Sequence, residues 1–433
     1  MKHFHLITPA RRKPVLSGTL LVLSSLLSAC GGGGSSSDDK HTDTDIDAAG
    51  RLAIYDADAQ ALKVLDLNDG SVLESFTLIG SAPRLYPLPG DRYTAVLQRD
   101  DNKVSFIDGG LYTEDHGDHM HDYAEAPRLL DFTLSGVRPT HYVMGESSAI
   151  VFNDGDDMNV ASVTALSGAS VAAGEVLLEL NRENNMHGVA KLIDGHLFVT
   201  YRDSGITDTT LPAEVERYSI ADGIATFEER YDAQCPRLHG AGYNQDVLIF
   251  GCADGLLAID LHNADYPAIK YGNPESLADG SRIGTVYGHK EVATLVTSAG
   301  SQLFATVIEN GAVSYQELKL DEGVSGLSQN FTPNGEFFWV LGDNEKLYLW
   351  ETDGDWAVAT SFSVSSTDIE SAYVASSTVN HMLYVLDVEN RRIVEVDYEA
   401  GLSGRTFALD FTPSGLSWMG LAGHEDDEDH SHD

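Results

Sequence analysis

The chain has 433 residues and a formal net charge of −40, from 27 Lys and Arg against 67 Asp and Glu. Nucleic acids and anionic membrane surfaces are therefore excluded as electrostatic partners, because like charges repel at both. Cations are favoured as ligands, although a solvated acidic surface suited to a salty habitat explains the same charge.

The first residues of the chain resemble an export signal. Four basic residues lie between positions 2 and 13, and residues 15–27 form an apolar core that is too short to span a membrane. This core ends in Leu-Ser-Ala-Cys at Cys30, which resembles the lipobox of bacterial lipoproteins. We therefore predict that residues 1–29 are a cleaved lipoprotein signal peptide and that Cys30 carries the lipid.

The residue after Cys30 is glycine rather than aspartate, which favours the outer membrane of a Gram-negative bacterium. The predicted location is the periplasm, with the lipid anchor as the only contact with the membrane. Residues 30–49 are rich in Gly, Ser and Asp and are predicted to be a flexible tether.

Residues 50–422 are predicted to be one all-β domain, because short alternating strands follow one another with Gly, Asn and Asp turns. Each unit has room for four strands, and the spacing of about 40–50 residues is typical of a β-propeller. Similar apolar strands begin near Arg51, Arg92, Ser148, His196, Val247, Val292, Phe337 and His381.

Eight strand starts favour eight blades, with seven as the alternative. The first unit begins at its second strand, and the chain ends in an unpaired strand at residues 415–421. This last strand is expected to supply the innermost strand of blade one and to close the ring.

Residues 114–122, in the second unit, contain three histidines and four acids and no residue that would build a core. They are predicted to be an exposed mobile loop, with His116, His119, His121 and Asp118 able to wrap a divalent cation. A solvated polar loop without metal is the alternative. The loop joins the third and fourth strands of its blade, so its root is expected on the face opposite the start of the innermost strands.

Three histidines recur at matched points of three successive units: His141, His187 and His239. Matched positions on neighbouring innermost strands converge at the centre of a propeller, and three imidazoles are a typical zinc ligand set. The alternative is that these histidines fill the channel and bond to water and backbone. Calcium and magnesium prefer oxygen ligands, whereas copper competes with zinc for nitrogen.

The second strands of the same three units end in Asp154, Asp203 and Asp254, and each is expected to approach the histidine of its own unit. Such a carboxylate either completes the metal site or bonds the second imidazole nitrogen. Spacing does not decide between these two roles.

Cys235 and Cys252 lie at opposite ends of one predicted hairpin, and in an oxidising compartment they are expected to form a disulfide. A metal-ligand pair is the alternative. Residues 423–433 form an acidic tail with three histidines, which either buffers metal loosely or is simply solvated. Motifs of hydrolases, zinc proteases and nucleotide-binding enzymes are missing from the sequence, so we expect a protein that is not an enzyme.

The segment from His116 to Asn153 resembles the AztD-type periplasmic zinc chaperones. The likeness is carried by Asp-His-Gly-Asp-His at residues 115–119 and by Ala-Pro-Arg-Leu-Leu-Asp-Phe at residues 126–132. The resemblance implies a propeller that delivers zinc to the solute-binding component of a zinc ABC importer. It also implies that the three matched histidines hold Zn²⁺ and that the loop at 114–122 assists transfer. The lipobox is a departure from that family, whose members are free periplasmic proteins.

The sequence thus predicts a monomeric, non-enzymatic zinc metallochaperone. Two alternatives come from other classes of protein. One is an outer-membrane lipoprotein that acts as an interaction scaffold without metal function. The other is a propeller hydrolase of the lactonase type with a catalytic metal.

Overall fold

The computed structural model describes residues 46–421 except positions 118, 279, 358 and 368. These residues form 34 strands, one short helix, α1 (Gly168–Ala173), and a 3-10 turn at Arg99–Asp101. No helix in this part of the chain is long and apolar enough to cross a membrane. Cys30 and the tail at 423–433 lie outside the described residues.

Eight four-stranded antiparallel sheets follow one another as blades one to eight. From the innermost strand outward, the first four blades consist of the following strands. Blade one has β34 (Pro413–Met419), β1 (Arg51–Asp56), β2 (Ala61–Asp66) and β3 (Val72–Thr77). Blade two has β4 (Arg84–Pro87), β5 (Tyr93–Gln98), β6 (Lys103–Asp108) and β9 (Arg128–Leu134). Blade three has β10 (Pro139–Met144), β11 (Ala149–Asn153), β12 (Ser162–Leu166) and β13 (Leu178–Asn181). Blade four has β14 (Ala190–Ile193), β15 (His196–Tyr201), β16 (Glu214–Ala221) and β17 (Ile224–Arg230).

The remaining blades have the same order. Blade five has β18 (Ala241–Tyr243), β19 (Val247–Cys252), β20 (Gly255–Asp260) and β21 (Ala268–Tyr271). Blade six has β22 (Thr285–Tyr287), β23 (Leu295–Ala299), β24 (Gln302–Glu309) and β25 (Ala312–Leu318). Blade seven has β26 (Gly326–Phe331), β27 (Phe337–Gly342), β28 (Lys346–Glu351) and β29 (Thr360–Ser363). Blade eight has β30 (Ala372–Ser376), β31 (Met382–Asp387), β32 (Arg392–Asp397) and β33 (Leu402–Ala408).

The middle strands of a blade are buried on both faces because each face packs against a neighbouring blade. Every residue of β19 is buried, whereas the outermost strand β33 is mostly exposed. Phe198 of blade four and Phe250 of blade five share one apolar cluster. Full burial of such a side chain contributes about 1.5–3 kcal/mol. The core therefore consists of layers between adjacent blades, and the continuous apolar strands of the sequence follow from this arrangement.

The ring is closed by the last strand of the chain. Strand β34 pairs with β1, with Leu52 opposite Trp418 and Ala53 opposite Ser417. The prediction of an eight-bladed propeller closed by a C-terminal strand is confirmed, and the seven-bladed alternative is wrong.

Strand order defines two faces, which position the site. We name as the upper face the one on which the innermost strand of each blade begins. The second strand of every blade ends on that face, because neighbouring strands are antiparallel. The third strand ends on the lower face.

The insertion in blade two is a β-hairpin, so the prediction of a loop without regular structure is wrong. Strand β7 (Leu111–Asp115) pairs with β8 (Met120–Ala124). Tyr112 stacks on Tyr123 at 4.9 Å between ring centroids, and Thr113 Oγ1 donates to Asp122 Oδ1 at 2.6 Å. The apolar and aromatic residues at the base of the hairpin, Leu111, Tyr112 and Tyr123, lie outside the polar window 114–122, whereas Glu114 and Asp115 within it pair with His121 and Met120. The polar composition of the window alone therefore does not reveal its strand pairing. The hairpin leaves the end of β6 and therefore starts on the lower face.

Cys235 and Cys252 are joined by a disulfide, with Sγ atoms 2.02 Å apart and Cα atoms 4.9 Å apart. Both residues are fully buried. Their sulfur atoms are therefore not available as metal ligands.

Candidate metal centre

The three matched histidines stand on the upper face of blades three, four and five. His141 lies in β10 opposite Phe152, whereas His187 and His239 lie three and two residues before the first residues of the innermost strands of their blades. Backbone hydrogen bonds hold the latter two: His187 N donates to Thr210 O and His239 N to Gly251 O, both at 2.9 Å. The expectation that these histidines begin their strands is met within a few residues.

The structure brings the three side chains together. The Nε2 atom of His187 lies 3.1 Å from Nε2 of His141 and 3.1 Å from Nε2 of His239. One ligand atom from each residue lies within 4.8 Å of the others, and all three side chains are half-buried. Three nitrogens bound to one tetrahedral Zn²⁺ at about 2.0–2.1 Å would stand roughly 3.3 Å apart. The cluster is therefore close to the spacing that zinc requires.

The outward nitrogens of two rings are held by acceptors. His187 Nδ1 lies 3.0 Å from Asp154 Oδ2, and His239 Nδ1 lies 2.7 Å from Gly284 O. A carboxylate and a carbonyl accept hydrogen bonds, so each Nδ1 carries the proton and, in the neutral ring, Nε2 has a free lone pair. Two lone pairs 3.1 Å apart repel each other unless a cation lies between them. The residues present thus fit a metal ion at the meeting point of the rings.

Burial keeps two of the rings in the form that binds metal. Burial, followed by the neighbouring imidazoles of His187 and His239, lowers the pKa of His141 from 6.5 to about 4. Burial also lowers the pKa of His239, although its hydrogen bond to Gly284 acts in the opposite direction. Both rings are therefore neutral at neutral pH, as a metal ligand must be.

Asp154 supports the site from the neighbouring blade. It belongs to blade three but bonds His187 of blade four, because Met186 N donates to Asp154 O at 2.9 Å as the chain enters blade four. Its Oδ2 also accepts from Thr140 Oγ1 at 2.8 Å and lies 3.4 Å from Arg99 Nη2. Asp154 is 7% exposed, and its Oδ1 is buried with no hydrogen-bond partner.

The equivalent aspartates of the next two blades point elsewhere. Asp203 is exposed and accepts from Gly205 N at 2.7 Å in a tight turn. Asp254 pairs with Lys270 at 2.5 Å. Neither has a hydrogen bond to a histidine within the described part of the chain. The prediction that each of these aspartates approaches the histidine of its own blade is therefore wrong. Asp154 is the one of the three that bonds a histidine, and that histidine, His187, belongs to the next blade.

The hairpin histidines form a separate group on the lower face. The ring centroids of His116 and His119 are 5.2 Å apart, and His121 lies 5.8 and 6.4 Å from them. Tyr123 OH lies 3.3 Å from His116 Nε2. Asp118, named with these histidines from the sequence, lies outside the described residues. The hairpin and the three-histidine cluster are on opposite faces of the ring.

Three groups at the upper cluster were not found by sequence reasoning. Thr140 and Arg99 both contact Asp154, and Arg99 Nε also donates to Thr140 Oγ1 at 2.9 Å. Gly284 contributes only its carbonyl. Gly284 precedes the innermost strand of blade six, much as His187 and His239 do in their blades. The blade repeat could therefore have indicated that Gly284 lies next to the cluster. No sequence pattern indicates Arg99, which comes from blade two.

Fold and site together define an eight-bladed β-propeller with a three-histidine cluster that is suited to a divalent metal ion. The chain is 28% identical over 283 residues to the zinc chaperone AztD of Citrobacter koseri. The aligned region covers 64% of this chain and 63% of that protein, which is less than two thirds of its length. The predicted resemblance to AztD-type zinc chaperones is thus confirmed. No protein-family model matches the chain.

Solved structures show the same fold. Apo AztD from Citrobacter koseri superposes with a TM-score of 0.71 at 22% identity, covering 88% of this chain and all of that one. The dihydro-heme d1 dehydrogenase NirN superposes with a TM-score of 0.57 at 12% identity, covering 86% of this chain and 76% of NirN. At these identities the likeness concerns the fold alone.

Replacing Asp154 with asparagine is expected to weaken zinc binding about 10- to 100-fold, the usual cost of losing a carboxylate that orients a histidine ligand. Isothermal titration of the purified protein with zinc measures this. Asp203→Asn is the matched control, since Asp203 ends the equivalent strand of the next blade and has no contact with the cluster. Equal affinities of the two variants would show that Asp154 does not support the site.

Proposed function

We propose that this protein is a zinc chaperone, which holds Zn²⁺ on His141, His187 and His239 and transfers it to a periplasmic zinc-uptake component. One observation carries the proposal: Nε2 of His187 lies 3.1 Å from Nε2 of both His141 and His239, while the second nitrogens of His187 and His239 are already bonded to acceptors. The similarity to a protein described as a zinc chaperone supports the same conclusion.

Zinc is the metal that this cluster fits best among the common divalent ions. Neutral imidazoles bind zinc well, whereas calcium and magnesium favour cages of oxygen atoms. Copper binds nitrogen more tightly than zinc does, so selection against copper depends on geometry and supply. Three protein ligands leave a fourth position of a tetrahedral ion open to water or to a group from a recipient protein.

An open fourth position allows transfer by exchange of ligands. A side chain of the recipient binds first, and the histidines then release the ion one at a time, so free zinc is never formed. The protein acts in this scheme by binding and handover rather than by catalysis. Its predicted recipient is the solute-binding component of a zinc ABC importer, as in the family it resembles.

The hairpin at 111–124 is proposed to collect zinc at the lower face rather than to hand it directly to the upper cluster. The three histidine rings lie within 6.4 Å of one another, but among the described residues only the upper three histidines have their ligand atoms within 4.8 Å, so the hairpin rings must draw together around an ion and hold it weakly. We further propose that the mature protein is anchored in the periplasm through Cys30 and acts as a monomer.

The proposal is tested by following zinc from the loaded protein to the purified solute-binding component of the zinc importer from the same organism. The rate of zinc transfer is expected to rise with the concentration of the recipient. It is also expected to exceed the rate at which the loaded protein loses zinc to excess EDTA. A transfer rate equal to that loss, and independent of recipient concentration, would contradict the chaperone role.

A further inference from the structure

Arginines surround the three-histidine cluster on the upper face of a protein whose net charge is −40. They stand at or just before the beginning of the innermost strands of blades two, three, five and six. We call these four residues the arginine rim: Arg84, Arg138, Arg237 and Arg282.

The rim lies next to the cluster. Arg84 lines a cavity of about 270 Å³ together with Thr140 and Arg99, which both contact Asp154. On the other side, Arg282 Nη1 donates to Arg237 O at 3.1 Å.

The rim side chains have no carboxylate partners. Elsewhere in the protein arginines pair with acids, as Arg92 and Arg128 do with Asp108 and Arg405 does with Glu395. None of the four rim residues forms an ion pair with any residue in the described ranges. The nearby acids are engaged by other groups: Asp154 binds His187, and Asp100 lies beside Arg99. Asp156 is close enough to feel the charge of Arg138, but its Oδ1 accepts from the backbone N–H groups of Met158 and Asn159. Arg84, Arg138 and Arg237 are exposed and Arg282 is half-buried, so four positive charges stand at this face without an ion-pair partner among the described residues.

Apolar side chains on the same face point to a protein partner rather than a small anion. Ile79 is 89% exposed and Met158 is 90% exposed, the highest values among the large apolar residues of the described chain. Ile79 precedes the innermost strand of blade two, and Met158 follows the second strand of blade three, so both lie on the upper face. Gln98 Nε2 donates to Ile79 O at 3.1 Å, which holds that segment in place. Arginine and methionine are enriched in protein interfaces.

We propose that the arginine rim docks an acidic segment of the protein that exchanges zinc with the three-histidine site. Guanidinium groups bind carboxylates with two parallel hydrogen bonds, which gives both attraction and orientation. The rest of the surface repels an acidic segment, so the rim directs it to the mouth of the site. A ligand carried on that segment then lies beside the open position of the zinc ion. This inference rests on the proposed zinc function and adds the chemistry of the partner.

The test uses a fluorescein-labelled peptide of ten glutamates and fluorescence anisotropy at low ionic strength. The double variant Arg84→Gln/Arg237→Gln is expected to bind the peptide at least about tenfold more weakly than the parent protein. The matched control is Lys319→Gln/Arg391→Gln, which removes two exposed charges from blades six and eight and so changes the net charge by as much as the rim variant does. This control is expected to bind like the parent, and about 0.5 M salt is expected to abolish binding in both.

Zinc titration of the same variants separates this inference from the proposed function. Zinc affinity is expected to stay within about threefold of the parent in both double variants, because none of the four substituted side chains contacts the histidines. Equal peptide binding by the rim variant and the control would overturn docking at the rim. A second outcome would also overturn it. If acetate displaced the labelled peptide as well as unlabelled peptide does at the same carboxylate concentration, the rim would be a site for small anions.

Discussion

Replacing His187 with alanine is expected to weaken zinc binding by more than about 100-fold, beyond the 10- to 100-fold loss typical of groups that only orient a ligand. His187 is the central ring of the cluster, and its Nε2 lies 3.1 Å from Nε2 of both other histidines. Without it, His141 and His239 offer only two nitrogens, which is one fewer than zinc sites usually take from protein. Isothermal titration with zinc measures the loss.

The matched control for this variant is His262→Ala. His262 is 69% exposed and pairs with Asp246, and it follows the third strand of blade five, on the lower face and therefore opposite the cluster. It is expected to bind zinc like the parent protein. Circular dichroism of both variants without metal shows whether each is folded. If the folded His187→Ala variant bound zinc as tightly as the parent protein, the three-histidine cluster would not be the zinc site.

Replacing Glu216 with alanine is expected to lower the free energy of unfolding by about 3–5 kcal/mol, the usual effect of breaking a buried ion pair. Glu216 lies in β16 of blade four and pairs with Arg182, which follows the last strand of blade three. Both side chains are almost completely buried, at 3% and 2% exposure. Arg230 Nη2 and Tyr218 OH donate to the same carboxylate at 2.6 and 2.8 Å. Loss of the carboxylate leaves Arg182 charged and buried without its acid partner.

Chemical unfolding at neutral pH measures this effect, and Glu229→Ala is the control. Glu229 is 44% exposed and lies 3.6 Å from Arg217, which keeps a closer partner in Glu228. Its replacement is expected to change stability by less than about 1 kcal/mol. Burial raises the pKa of Glu216, but Arg182 and Arg230 outweigh it, so the pKa lies below 4.5. The contribution of Glu216 is therefore present above pH 4.5 and is lost as the pH falls below its folded pKa. Equal stability losses in the two variants would contradict this assignment.

The buried ion pair of Arg182 and Glu216 also lies between two of the blades that carry the histidine cluster. Arg182 and Glu216 join blade three to blade four, the blades that carry His141 and His187. A propeller sets distances between side chains of different blades through the packing of those blades. Contacts between these two blades therefore help to hold the 3.1 Å separation of the two Nε2 atoms.

Features that repeat along the chain could be predicted from the sequence. The repeat of apolar strands indicated eight blades, and the unpaired last strand indicated ring closure by β34. The spacings of 46 and 52 residues between the histidines match the blade repeat, so their convergence follows from symmetry. These inferences need only the period of the sequence and the general geometry of a propeller.

Features that depend on contacts between blades could not be predicted. Asp154 was expected to reach the histidine of its own unit, but the path of the chain into blade four brings it to His187 instead. Arg99 reaches the same carboxylate from blade two. The hairpin at 111–124 was missed because its stacked pair Tyr112 and Tyr123 flanks a polar window whose residues also pair as strands. In each case a single side chain or turn decides the contact, and no repeat carries that information.

The most direct test of the central claim is a zinc K-edge X-ray absorption spectrum of the untagged protein loaded with one equivalent of zinc, compared with the spectrum of His187→Ala. We expect one zinc bound by three imidazole nitrogens at about 2.0–2.1 Å in the parent protein and the loss of this signature in the variant. A parent spectrum dominated by oxygen ligands, or one that the variant reproduces, would contradict zinc binding by His141, His187 and His239.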